Sequence, residues 1–484
     1  MKPIKSIKLI YWFFFLTAMV ACSRNQSVQD ITPTTVTPSA KQIVYQQLEV
    51  IGFIHFGVNT FTDREWGTGK EDPDIFSPSS LDVNQWVQVA KTGGLGMLIL
   101  TAKHHDGFCL WPSGYTNHSV KSSLWENGKG DVVRALSEAC ETAGIKFGIY
   151  LSPWDMHESS YGSDDYNRYY LSQLEELLTG YGPISEVWMD GAKGENARDM
   201  EYDFDAYRRM VYRLQPEALI FSDVGPDIRW IGNEHGIAGF TNWSTISTEG
   251  MSIGDADTDY LNTGDPNGTQ WLVGECDVSI RPGWFYHASQ DTLVKNPEYL
   301  VDLYYKSVGR NGTLLLNLPP DKRGMIHEND IRSLYEFRRI LNETFENNLF
   351  AGADIQASSL YTRSNKFNPD GLLDDDPDSY WAADLQDKEP VLTLRLKEEI
   401  TIDRLLLQEP IRFGQRISEV IFEARVNEEW IPVSKATTVG YKRLLRFDPV
   451  SSRLFRITIT GHLQTPALAR LAGYKASNRE KIFN

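Results

Sequence analysis

Asp190 is carried into a turn by the apolar run Val187-Trp188-Met189 and followed by Gly191, so a carboxylate stands at the C-terminal end of a short strand. Parallel-barrel enzymes keep their reacting groups at that end. Two further segments have the same form: Phe53-Ile54-His55-Phe56-Gly57, and Leu98-Ile99-Leu100-Thr101 running into Lys103-His104-His105-Asp106-Gly107-Phe108. A carboxylate and three imidazoles at neighbouring strand ends make one polar pocket, suited to hydrogen bonding of hydroxyl-rich ligands. Cleaving a glycosidic bond with retention needs a carboxylate nucleophile and, about 5 Å away, a carboxylic acid that protonates the leaving oxygen. Asp190 suits the first role. The competing role, capping the next helix, is disfavoured because Gly191-Ala192-Lys193-Gly194 is no helix start.

Three residues compete for the acid: Glu234 in Trp230-Ile231-Gly232-Asn233-Glu234-His235-Gly236, Glu249 in Thr248-Glu249-Gly250, and Glu275 in Gly274-Glu275-Cys276. Spacing alone does not rank them. Glu234 lies in a glycine-flanked loop able to approach a ligand, with Trp230 near enough to lower the local polarity and raise its pKa. Glu275 ends an expected strand and can instead orient a partner or a hydroxyl. His104 and His105 point to opposite sides of an extended chain and find no third ligand at suggestive spacing, so hydrogen bonding is preferred to metal ligation and no metal is assigned. Trp66, Trp111, Trp188 and Trp284 are candidates for stacking on sugar faces, although a single Trp more often belongs to the core.

These groups need a scaffold that presents consecutive strand ends side by side. Apolar runs at 51–56, 96–101, 146–151, 186–189, 218–222, 237–240, 271–275 and 313–317 alternate with helical periodicity, which predicts a TIM-like (β/α)8 barrel over 42–345. Val83, Trp86, Val87 and Ala90 share one helix face behind Asp82 as N-cap, and Asp131 opens another helix that closes near Gly144. The sixth strand is the least legible, because 232–268 is rich in Gly, Asn, Thr and Asp and reads as long loops.

Beyond the barrel, alternating strands at 391–396, 402–407, 420–426, 430–433 and 454–460 predict an all-β sandwich over 346–484. The fold class is thus α/β, a barrel followed by an all-β domain. With 48 basic against 65 acidic residues and no basic run, a nucleic-acid surface is excluded as a reading. At the N-terminus, Lys2, Lys5 and Lys8 precede an apolar run too short to span a bilayer comfortably, as in a signal peptide over 1–22. It ends in Met19-Val20-Ala21-Cys22-Ser23, which resembles a bacterial lipobox, so Cys22 is expected to carry a lipid and the chain to be exported to the periplasm or outer membrane. Residues 23–41 then read as a flexible tether. Cys109, Cys140 and Cys276 remain, an odd number that argues against a disulfide framework.

The ordered set His55-Phe56-Gly57, Glu65-Trp66, Lys103-His104-His105-Asp106-Gly107-Phe108, Tyr150-Leu151-Ser152-Pro153-Trp154-Asp155 and Trp188-Met189-Asp190-Gly191 resembles the α-L-fucosidases of glycoside hydrolase family 29. The resemblance implies a retaining exo-hydrolase of terminal α-L-fucose that needs no cofactor, with Asp190 as nucleophile. It places His55, Glu65, Trp66, His104, His105, Tyr150, Trp188 and Trp284 around the sugar. The Asn233-Glu234 loop resembles the acid/base loop of the subfamily acting on branched α-1,3/1,4-linked fucose, as in Lewis-type glycans, which favours Glu234. Gly67 stands where broad-specificity members commonly carry an aromatic residue, a departure in the same direction. A broad-specificity fucosidase and a non-catalytic glycan-binding surface lipoprotein are the alternatives. The segment from Asn368 to Trp381 resembles the start of discoidin, or coagulation-factor type C, domains, which often bind sugars and many of which hold a structural calcium; for Asp374 to Asp378 a solvated turn is the other reading.

Overall fold

The computed structural model describes residues 29–374, 376 and 378–480. The expected signal peptide and the lipobox Cys22 lie outside the described residues.

Eight parallel strands close into a barrel: β1 (Val50–Ile54), β2 (Met97–Lys103), β3 (Lys146–Leu151), β4 (Glu186–Trp188), β5 (Leu219–Ser222), β6 (Ile228–Trp230), β7 (Val273–Ser279) and β8 (Thr313–Asn317). Each strand pairs with its sequence neighbours and β8 returns to β1, with Ile51 opposite Leu315. Covered by helices outside and side chains inside, such strands are buried on both faces, which is why β1 and β2 are buried at every position. Phe53, Ile99, Phe221, Val273 and Leu315 pack inside the barrel, and a larger core joins the strands to the helices around them.

Caps set the helix starts. The Asp82 carboxylate accepts from the Gln85 amide at 3.0 Å to open Val83–Gly93, and Asp131 accepts from the Arg134 amide at 2.9 Å to open Val132–Ala143. Both helices end where glycine takes the left-handed conformation, at Gly94 and Gly144.

Three expectations differ from the structure, one of them the seventh strand, which runs Val273–Ser279 and past the expected 271–275. The sixth strand is Ile228–Trp230, not 237–240. Buried Arg229 is acceptable there because its guanidinium donates to Leu261 O, Asn242 Oδ1 and Trp243 O, each at 2.9 Å. Residues 237–240 form no strand; Ile237 O instead accepts from Asn233 Nδ2 and Asn262 Nδ2. Residues 31–39, expected to belong to the tether, lie against the C-terminal domain: Ile31 is buried, its amide donates to Tyr380 Oη, and the Thr34 amide donates to Phe413 O. Ser39 and Gln42 then form a capping box at the helix Ala40–Gln46.

The C-terminal domain is an antiparallel sheet of β9 (Asp354–Ala357), β10 (Val391–Gln408), β11 (Ile417–Val426), β12 (Glu429–Ala436), β13 (Arg443–His462) and β14 (Arg470–Tyr474). Their order is β9-β10-β13-β11-β12, with β14 also on β10. A small ribbon pairs Trp381–Ala382 with Ala467–Leu468. Leu394, Leu405, Phe422, Phe455 and Ile457 form its core. The domain also grips the barrel chain beyond Glu234. Arg443 Nη1 donates to Phe240 O at 2.7 Å, and Thr438 Oγ1 accepts from the Asn242 amide at 3.0 Å. The Asp376 and Asp378 amides donate to the Asp374 and Asp376 carboxylates at 3.0 Å. Among the described residues no three His, Cys, Asp or Glu side chains gather as a metal site.

Candidate active site

Every barrel strand sends a group to one cavity of ≈ 250 Å³ at the C-terminal rim, or supports a group that lines it. His55 follows β1, His104 and His105 follow β2, Tyr150 lies on β3, and Trp188 on β4 leads to Asp190. Glu234 follows β6, and Trp284 follows β7. All of these line the cavity, with Trp66 at its edge.

Asp190 is held at both oxygens: Tyr150 Oη donates to Oδ2 at 2.9 Å and the Ala192 amide to Oδ1 at 2.8 Å. Burial pushes its pKa up, opposed by these two donors. Glu234 stands at the mouth, where Trp284 Nε1 donates to its Oε2 at 3.3 Å. Desolvation by the rim raises its pKa, the indole opposes this, and the Asp190 charge adds to the rise. One carboxyl is thus clamped by donors that favour its ionised form, and the other stands at the mouth with the Asp190 charge favouring its protonated form, a division of roles suited to a nucleophile and a general acid.

The imidazoles are neutral, and hydrogen bonds fix two of them, His55 and His105, as acceptors toward the cavity. His55 Nδ1 donates to Asn317 Oδ1 at 2.9 Å, and Asn317 is oriented by its own donation to Trp284 O at 2.7 Å and Ser279 Oγ at 2.9 Å. The Ser152 hydroxyl donates to Trp154 O at 2.6 Å, so it accepts from His105 Nδ1 at 2.7 Å. His105 Nε2 is left facing Asp190 Oδ2 at 3.7 Å with a lone pair. Burial lowers both pKa values to about 3, and lowers that of His104, whose ring stacks on Tyr150 at 5.5 Å.

Glu65 lies behind the wall. Its carboxylate accepts from the Trp284 amide at 2.9 Å and His287 Nε2 at 2.6 Å, fixing the loop that carries Trp284. Trp188 stacks on Phe221 at 4.0 Å and donates to Glu275 Oε1 at 2.8 Å.

Glu275 does not end its strand, because β7 continues to Ser279. It is buried beneath the cavity with Tyr45 and Trp188 as donors, so it orients Trp188 rather than meeting a ligand. Glu249 is exposed and away from the cavity, and Trp111 is buried with its Nε1 on Glu176 Oε2 at 2.9 Å.

Among the lining residues not assigned to the ligand from the sequence are Asp223, Trp230 and Asp277. Asp223 follows β5 as Asp190 follows β4, a signal present in Phe221-Ser222-Asp223. Its Oδ2 accepts from the Gly254 amide at 2.7 Å, and burial with the nearby Asp190 raises its pKa to about 6. Asp277 is two residues beyond Glu275 and shares its strand face.

A sugar-sized polar cavity at the rim of a parallel barrel, with paired carboxyls and aromatic walls, defines a glycoside hydrolase. The profile of the α-L-fucosidase family matches residues 42–344, and that of the F5/8 type C domain residues 354–471. The chain is 48% identical over 475 residues to α-L-fucosidase 1 of Arabidopsis thaliana, covering 97% of this chain and 94% of that one. Among solved structures it resembles SpGH29 (43% identity, 93% of this chain and 100% of that chain, TM-score 0.89). It also resembles a Ruminococcus gnavus GH29 fucosidase in complex with fucose (34% identity, 93% and 97% coverage, TM-score 0.86). The chain belongs to the α-L-fucosidase family and is a glycoside hydrolase acting on α-L-fucosides.

Proposed function

We propose that the enzyme is a retaining exo-α-L-fucosidase releasing terminal α-1,3/1,4-linked fucose from branched, Lewis-type glycans, with Asp190 as nucleophile and Glu234 as acid/base. The observation that carries this reading is the pair of unlike carboxyls on one cavity, Asp190 clamped by Tyr150 and Ala192, Glu234 capped by Trp284. Asp190 attacks the anomeric carbon while Glu234 gives its proton to the leaving oxygen. Glu234 then takes a proton from water as that water opens the fucosyl ester on Asp190. His55 and His105 accept from sugar hydroxyls through their free Nε2 atoms, His104 lies beside them, and Trp66, Trp188 and Trp284 supply aromatic walls. Tyr150 and Glu65 hold the nucleophile and the Trp284 loop. No cofactor takes part.

The branched-substrate preference is supported by Gly67. It has φ +73°, and a Cβ there would lie 2.7 Å from Asn59 Oδ1 and 2.9 Å from Asp106 Cβ, so no aromatic side chain fits behind Trp66. We further propose that the mature enzyme is a cell-envelope lipoprotein anchored through Cys22. Parallel assays with a Lewis-type α-1,3/1,4-fucosylated trisaccharide and an aryl α-L-fucoside test the specificity. Fucose release from the trisaccharide is expected, and turnover of the aryl substrate alone would favour the broad-specificity reading. Asp190→Ala should lower kcat by about three orders of magnitude or more.

A further inference from the structure

Deep in the cavity most side-chain donors are already engaged, and His104, a neutral imidazole with one N–H, is the exception. Three of the cavity's four indole N–H groups are committed to carboxyls, Trp188 to Glu275 at 2.8 Å, Trp230 to Asp277 at 2.8 Å and Trp284 to Glu234 at 3.3 Å, and the Tyr150 hydroxyl is committed to Asp190 at 2.9 Å; the fourth indole, Trp66, lies at the exposed edge. His55 and His105 turn lone pairs inward, as derived above. Fucose hydroxyls both donate and accept, so a pocket that binds them needs donors as well.

Asp277 lines the cavity with only 3% of its surface exposed. Its Oδ1 accepts from Trp230 Nε1, and no other side chain donates to it. Among the described residues no Lys or Arg lines the cavity. The ionisable groups facing Asp277 are the carboxyls of Glu234 at the rim and Glu275 beneath. A charge in that position would be desolvated, unpaired and repelled.

We propose that Asp277 is a substrate-contacting residue in its carboxylic acid form, accepting from Trp230 at Oδ1 and donating from Oδ2 to a hydroxyl of the fucosyl unit. The proposal rests on the fucosidase reading and adds a ligand contact to it. Burial and the neighbouring carboxyl of Glu234 hold the Asp277 pKa well above the usual carboxylate range, which agrees with this form. The neutral acid supplies one acceptor and one donor at the two places where the pocket needs them, leaving the negative charge to Asp190.

The test compares wild type with Asp277→Ala and Asp277→Asn, using an aryl α-L-fucoside and inhibition by free fucose, with thermal melts of each variant. Asp277→Ala should raise KM and the fucose inhibition constant about tenfold, the size of one hydrogen bond lost in a dry site, with a smaller change in kcat. Asp277→Asn should recover most of that loss, because its amide oxygen accepts from Trp230 and its N–H donates to the sugar. Unchanged fucose inhibition in Asp277→Ala would overturn the proposal. So would an Asn variant no better than Ala, or a loss confined to oligosaccharide substrates. If Asp277→Ala does not fold, Asp277→Asn alone decides: fucose binding within about threefold of wild type supports the acid form, and a loss beyond about tenfold refutes it. Wild type that neither hydrolyses a fucoside nor binds fucose would instead overturn the underlying fucosidase reading.

Discussion

Tyr150→Phe isolates one hydrogen bond at the nucleophile. The phenol donates to Asp190 Oδ2 at 2.9 Å, and the Phe ring keeps the volume that packs against Trp188 and His104. Backbone amides then remain as donors to Asp190, chiefly that of Ala192 at 2.8 Å. The lost donor stabilised the ionised carboxyl, so removing it raises the pKa of Asp190. Activity, which needs the ionised form, then fails at a higher pH on the acidic side. A hydrogen bond to a charged acceptor contributes about 1.5–3 kcal/mol and 1.36 kcal/mol equals one pKa unit, so the acidic limb should rise by about one to two pH units. Water entering the vacated space places the expected shift at the lower end. The assay is kcat/KM for an aryl α-L-fucoside across pH, with a thermal melt to show an intact fold. An acidic limb displaced by less than about 0.3 unit would refute the role given to Tyr150.

Glu234→Ala should abolish the basic limb of the pH profile and slow substrates with poor leaving groups far more than activated aryl fucosides, with azide restoring part of the rate; the same signature in Glu275→Ala would reassign the acid. Gly67→Ala forces a left-handed side chain and displaces Asn59 from its 2.8 Å bond to Asp106, costing about 2–4 kcal/mol in a denaturation experiment. Lys103→Met strands a buried Asp155 that now meets Lys103 Nζ at 2.9 Å, and should destabilise by about 3–5 kcal/mol; a loss below about 1 kcal/mol would show that water relieves the site.

The legible parts of the chain were those where periodicity and chemistry coincide. Strands such as Met97–Lys103 are apolar for several residues and then change abruptly to imidazoles, so both the element and its functional end can be read. Asp190 and the three histidines were identified on that basis. The sixth strand was missed because Ile228–Trp230 has three residues and a central Arg229, whose burial depends on carbonyls remote in sequence. Ending the seventh strand at Glu275 hid Asp277, although alternation along Glu275-Cys276-Asp277 puts both acids on one face. Residues 31–39 resemble a linker in composition, and their docking depends on Tyr380 and Phe413, more than 300 residues away. The glycine-flanked loop and Trp230 favoured Glu234 over Glu275, and the resemblance of the Asn233-Glu234 loop strengthened that reading; in the structure Glu234 lines the cavity while Glu275 is engaged by Tyr45 and Trp188 beneath it.

The most direct measurement is the anomeric configuration of the first fucose released by wild type from the branched trisaccharide, followed by proton NMR before mutarotation. Attack by Asp190 followed by water gives α-L-fucose first. Appearance of β-L-fucose first would mean single-step inversion and would contradict a covalent role for Asp190.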